Sequence, residues 1–151
     1  MTCWLVKSEP ADFSIADLER VGREPWTGVR NYQARNYMRD DMRVGDPVLL
    51  YHSSCPEPGV AGVARVASAA YPDPTQFERR SDYYDPKSTR QAPRWQLVEV
   101  EFVRRLGRII GLDEIRAQSG RLGEIALLQR GNRLSVMPLT RRQFDQILRL
   151  E

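Results

Sequence analysis

Histidine is nearly absent from this 151-residue chain, where His52 stands alone, and cysteine is limited to Cys3 and Cys55. So small a stock of imidazole and thiolate supplies neither a zinc ligand set nor a disulfide framework, and it points to free thiols and no metal. Long apolar runs are missing too, since no stretch approaches the roughly 20 residues that cross a bilayer. The opening segment has neither the basic region nor the apolar core of a secretory signal. The expectation is therefore a protein that stays where it is made, in the cytoplasm of a bacterial-type cell or the nucleus of a eukaryotic one. No Gly-x-Ser-x-Gly elbow, phosphate-binding glycine loop or metal-ligand spacing occurs.

Lysine is scarce as well: of 23 basic residues only Lys7 and Lys87 are lysines, and the net charge is +3. Arginine donates bidentately to phosphate and stacks on bases, which suits a nucleic-acid partner. A coding bias toward arginine accounts for the same composition equally well. The hydrophobic fraction of 41% and the length fit one domain over residues 1–151.

Cys3–Val6 reads as a buried strand. Ser14 caps a helix over Ile15–Val21 that Gly22 ends. A second helix is predicted over Tyr32–Met42, with Ala34, Tyr37, Met38 and Met42 on one face. Pro47–His52 and Val60–Ala67 read as strands, and Gln96–Val103 alternates as a half-buried strand does. The connection Tyr71–Pro93, with Pro72, Pro74, Pro86 and Pro93, is long enough to suggest a function. Leu112–Gln118 and Leu122–Gln129 read as short helices, and Leu134–Met137 as a strand stopped by Pro138. The capping box Thr140–Gln143 opens a closing helix with Phe144, Ile147 and Leu148 on its apolar face. The pattern implies an α+β fold with a mixed or barrel-like sheet flanked by helices.

Several blocks carry a resemblance. They include Trp4-Leu-Val-Lys-Ser-Glu-Pro10, Trp26-Thr-Gly-Val-Arg-Asn-Tyr-Gln-Ala-Arg-Asn36, Val44-Gly-Asp46 and Tyr51-His-Ser53. Tyr71-Pro-Asp-Pro74, Tyr84-Asp-Pro86, Pro93-Arg-Trp95 and Arg133-Leu-Ser-Val136 follow in order. Together these resemble the EVE family, a relative of YTH and PUA domains, over nearly the whole chain. The resemblance implies a PUA-like, partly closed β-barrel flanked by helices. It also implies a pocket for a flipped, often modified nucleobase, with 5-methylcytosine among the forms proposed for the family.

Reading such a base takes flat faces for stacking and polar groups for its edge. Trp26 offers the stacking surface, Asn31 a donor and an acceptor, and Gly28 and Val29 a close backbone approach; Tyr32 follows them. Equally, Trp26 can be a lid on the core and Asn31 a helix cap. Ser8, from the block similar to a Lys-Ser pair of YTH domains, can bond the base edge, and Lys7 a phosphate. His52 and Ser53 end a strand the family places beside the pocket, and Ser135 is the polar member of the Arg133–Val136 block. Tyr83, Tyr84 and Trp95 are aromatic walls or simple packing. Arg30, Arg35, Arg79, Arg80, Arg90 and Arg94 are the further candidates for following a phosphate backbone.

The expected partner is RNA or DNA carrying a modified base, with no cofactor and no membrane, bound by a protein that is not an enzyme. A monomer is the expectation, as no heptad pattern argues for a coiled coil. One rival is a small enzyme using His52 with Ser53 or Cys55, although neighbouring side chains on a strand end point apart. Another is a protein-interaction adaptor using the exposed arginines.

Overall fold

Cys3, Trp4, Leu5 and Val6 are apolar without alternation, and a strand hides such a run only where both of its faces are covered. The computed structural model, which describes residues 2–151, has that arrangement. The chain runs β1 (Cys3–Ser8), α1 (Ile15–Val21), β2 (Arg23–Pro25), α2 (Tyr32–Asn36), β3 (Pro47–His52), β4 (Gly59–Val66), β5 (Tyr71–Pro72) and β6 (Gln96–Leu97). It continues through β7 (Glu99–Gly111), α3 (Leu112–Ala117), α4 (Ser119–Leu122), β8 (Val136–Leu139) and α5 (Arg141–Leu148). Six strands form one sheet in the order β2-β7-β4-β3-β1-β8, curled into a half-barrel, and β5 and β6 pair separately. Among the described residues only β1 and β3 pair in parallel. Register shifts at Leu50/Tyr51 on β3 and at two places along β4 supply the local bends that curling needs.

Alternate residues of the central strands feed two apolar layers. Trp4, Val6, Val48 and Leu50 pack with Ile15 and Leu18 of α1, Trp26, and Ala34 of α2. Cys3, Leu5, Leu49 and Tyr51 pack with Ile115 of α3, Leu122 of α4, and Phe144 and Ile147 of α5. Trp4 also donates its indole N–H to the buried Asp46 carboxylate at 2.9 Å, so the ring is both packed and satisfied.

The α+β half-barrel matches the expected class; several elements differ from their predicted bounds. The helix predicted to Met42 stops at Asn36 and continues as a wider turn over Tyr37–Asp41, with the Met42 N–H reaching back to the Tyr37 carbonyl. The helix predicted over Leu122–Gln129 is broken by Gly123, at φ 72°, leaving a short 3-10 turn at Ala126–Leu128. Pro138 does not stop its strand: β8 is an edge, where a missing N–H costs no ladder bond. The strand read over Gln96–Val103 is two, and β7 runs on to Gly111 along β4. Its second half hides in the sequence because Arg104 and Arg108 face outward, paired with Glu151 and Glu114.

Candidate functional site

Three strand ends meet at one rim of the half-barrel. Lys7 donates its backbone N–H to the Ser135 carbonyl, just before β8, and Ser53, just past β3, donates to the Ser8 carbonyl, both at 2.9 Å. Across from them runs the segment after β2. Its Trp26 is tied by its N–H to the Val98 carbonyl at 3.0 Å, and its ring meets Phe13 edge-on at 5.9 Å. Between these walls lies an open cavity of about 660 Å³, a volume within the range of small-ligand sites.

Six of the nine residues expected at a base pocket line it: Ser8, Trp26, Gly28, Val29, Ser53 and Ser135. Lys7 joins them. Its ammonium lies 5.7 Å from the centre of the Tyr51 ring and has no carboxylate within 4.0 Å among the described residues. Burial pushes its pKa down. The Ser8 hydroxyl donates to the Phe13 carbonyl at 2.7 Å, which leaves its lone pairs free to accept. Ser54, on the same wall, has φ 53° and is the one non-glycine with positive φ among the described residues. Such strain persists where surrounding structure imposes it, often at binding sites.

Three expected pocket residues lie elsewhere. Asn31 is spent as a cap, its side-chain oxygen accepting the Ala34 N–H at 3.0 Å, and it lines a different cavity of about 500 Å³. Tyr32 stacks on Trp95 with ring centres 4.7 Å apart. His52 is buried, and its Nε2 accepts the Ile15 N–H at 3.1 Å, holding the start of α1. Burial, aided by Arg105, pushes the His52 pKa down, which keeps the ring a neutral acceptor.

The arginines expected on phosphate divide likewise. Arg30 is structural: it pairs with Asp73 at 3.0 Å, donates to Thr75 and to the Tyr83 carbonyl, and lies between the Tyr83 and Trp95 rings. Arg35 donates to the Arg94 carbonyl at 2.7 Å and stacks over Tyr32, and Arg90 stacks over Phe77. Arg79 and Arg80 are exposed. None of these, nor Arg94, lines the 660 Å³ cavity; Lys7 is the member of that set that does.

Phe13, Tyr83 and Arg133 also line the cavity. Phe13 had a legible signal, because an apolar residue directly before a helix cap is placed to staple the turn. Tyr83 had none. It reaches the cavity because Asp73, fully buried, accepts from the Gly28 N–H at 2.8 Å, from Arg30, and from the Thr75 N–H and hydroxyl, tying the long connection to the Trp26 segment. Burial alone would raise the Asp73 pKa; the bonds from Thr75, Gly28 and Arg30 outweigh it and hold the carboxyl below the usual range. The Tyr83 ring then lies on Gly28, where an added Cβ would come within 2.6 Å of it.

The site therefore offers aromatic surfaces, hydroxyls that can accept, and an ammonium without a counter-ion. Three carboxylates, Glu9, Asp12 and Glu24, line it as well, and the site suits a flat, polar-edged ligand. Among the described residues no group of three or more His, Cys, Asp or Glu could hold a metal, and no helix is long and apolar enough to cross a membrane.

Residues 2–150 match the family model described as the EVE domain. Human thymocyte nuclear protein 1 is 43% identical over 166 residues, spanning 98% of this chain and 73% of that protein. A crystal structure of a Pseudomonas putida protein superposes with a TM-score of 0.94 at 50% identity, covering 97% of each chain. The crystal structure of human THYN1 protein in complex with 5-methylcytosine containing DNA superposes with a TM-score of 0.93 at 41% identity, covering 99% of this chain and 97% of that one.

Proposed function

This chain belongs to the EVE domain family, and from that premise we propose that it binds nucleic acid by taking a flipped, methylated nucleobase into the cavity beside Trp26. The observation that carries the proposal is that cavity: Trp26, Phe13 and Tyr83 supply ring surfaces around the unpaired Lys7 ammonium. The human THYN1 complex makes 5-methylcytosine the first base to test and DNA the first polymer. Stacking a base on an aromatic ring contributes about 1–3 kcal/mol by alanine substitution. An ammonium at the rim adds the salt-dependent attraction that any phosphate contact brings.

We read the protein as a binder and not an enzyme. The His52 Nε2 is engaged by the Ile15 N–H, and His52 is outside the cavity lining, so it is poorly placed to serve Ser53 or Cys55 as a base. The same reading places the protein with its nucleic acid, in the nucleus of a eukaryote or the cytoplasm of a bacterium. An adaptor role through exposed arginines would instead show oligonucleotide binding that is weak and insensitive to salt.

The test is an anisotropy titration with matched DNA and RNA oligonucleotides, single- and double-stranded, with and without methylated cytosine. Methylated DNA is expected to bind at least about tenfold tighter, a difference near 1.4 kcal/mol. Tyr83→Ala should erode that preference; this ring is 44% exposed, so its removal is tolerated better than loss of the buried Trp26. Equal binding of methylated and unmethylated strands overturns the proposal.

A further inference from the structure

The loop leading into β8 carries an arginine that the base pocket alone does not explain. Leu134 packs against both apolar layers, and the Asn132 side-chain oxygen accepts its N–H at 3.2 Å, so the loop is pinned on either side of Arg133. Arg133 itself is exposed. Many arginines of this chain are held by a carboxylate or a carbonyl, yet Arg133 has no hydrogen bond or ion pair among the described residues, and it is the one residue that lines both cavities.

The second cavity, of about 500 Å³, has a different chemistry. The carboxamides of Asn31, Gln33, Gln129 and Asn132 line it beside Tyr37. Some of their capacity is used: Asn31 accepts from Ala34, and the Gln33 amide donates to the Tyr37 hydroxyl at 3.2 Å. The Asn31 amide donors, the Gln33 carbonyl and the whole Gln129 amide remain, and the Asn132 amide nitrogen is buried with no partner. Donors and acceptors side by side match the edge of a neutral base; carboxamides are the side chains that pair in this way with adenine. A second phosphate would call for cations, and Arg133 is the one supplied.

We propose that the protein binds a two-nucleotide step, with the flipped base in the first cavity, a phosphate on Arg133, and the base of the adjoining nucleotide against the carboxamides of the second cavity. This rests on the base-pocket reading for its first half. Methylation supplies the signal in the first cavity; the second makes affinity depend on the neighbouring nucleotide.

The test uses DNA in which the nucleoside on one side or the other of the target cytosine is replaced by an abasic spacer, titrated at several salt concentrations. One of the two spacers should weaken wild-type binding at least about fivefold, and that loss should disappear in Gln129→Ala. Arg133→Gln should weaken all sequences about equally and reduce the salt slope by about one. Both altered side chains are exposed, so folding is not at stake. Indifference to both spacers, or an unchanged salt slope in Arg133→Gln, overturns the inference. Spacer and salt effects are read on unmethylated DNA as well, so a failure of methyl preference alone counts against the base pocket and leaves this test standing.

Discussion

Lys7 sits where stability and binding pull in opposite directions. Folding takes its ammonium out of water without giving it a carboxylate, which lowers its pKa from 10.5. Below the folded value Lys7 is charged in both states, and the desolvation cost is present in full. Between the folded value and 10.5 the unfolded chain binds more protons, so stability rises with pH across that window. The Tyr51 face returns about 0.5–1 kcal/mol of cation–π attraction. Lys7→Met is therefore expected to leave the melting temperature at neutral pH equal or slightly higher, while DNA affinity falls and the salt slope drops by about one. A variant that melts several degrees lower, with affinity intact, would show Lys7 to be a packing residue. Lys7, Gly28 and Trp26 were legible because each brings its property with it: a charge, a permissive backbone, a large ring. Asn31 and His52 were misplaced because a polar side chain in sequence does not reveal whether the backbone will claim it first. Here the Ala34 and Ile15 amides did.

Among elements, the connection from Asp73 to Trp95 decides the shape of the cavity's outer wall. It carries little regular structure, only a 3-10 turn at Pro74–Phe77. Its order comes from the Asp73 hub and from Gln76, which donates to the Asp73 and Trp95 carbonyls and accepts from Ser88 and the Trp95 N–H. Removing one partner from such a buried network strands the others, at a cost of about 2–4 kcal/mol. Asp73→Ala should lose about that much in chemical denaturation. Methyl-DNA affinity should fall too, because Tyr83 is no longer drawn onto Gly28. A stability loss with binding unchanged would separate Tyr83 from the ligand. The length and proline content of this segment were visible in the sequence, but the pairing of Asp73 with Gly28 and Arg30 was not, since nothing local in either segment encodes a contact between them. The central strands were easier, being apolar runs buried on both faces; β2 is only three residues long, too short to show a strand pattern.

At the scale of the molecule, the ligand must come to the cavity. The cavity opens where the strand ends of β1, β3 and β8 converge on the Trp26 segment, inside a half-barrel already filled by two apolar layers. A base taken into it must leave the place between stacked neighbours that it holds in a duplex. Binding duplex DNA then includes the cost of extruding the target nucleotide, a few kcal/mol, and that cost is smallest where the base is unpaired. Placing an abasic site opposite the methylated cytosine should therefore tighten binding by about tenfold or more relative to the fully paired duplex, with the methyl preference retained in both. The comparison isolates extrusion because the chemistry offered to the cavity is the same in the two duplexes. If the fully paired duplex binds as tightly or tighter, the methyl group is being read in the groove with the base in place, and the cavity beside Trp26 is not where recognition happens.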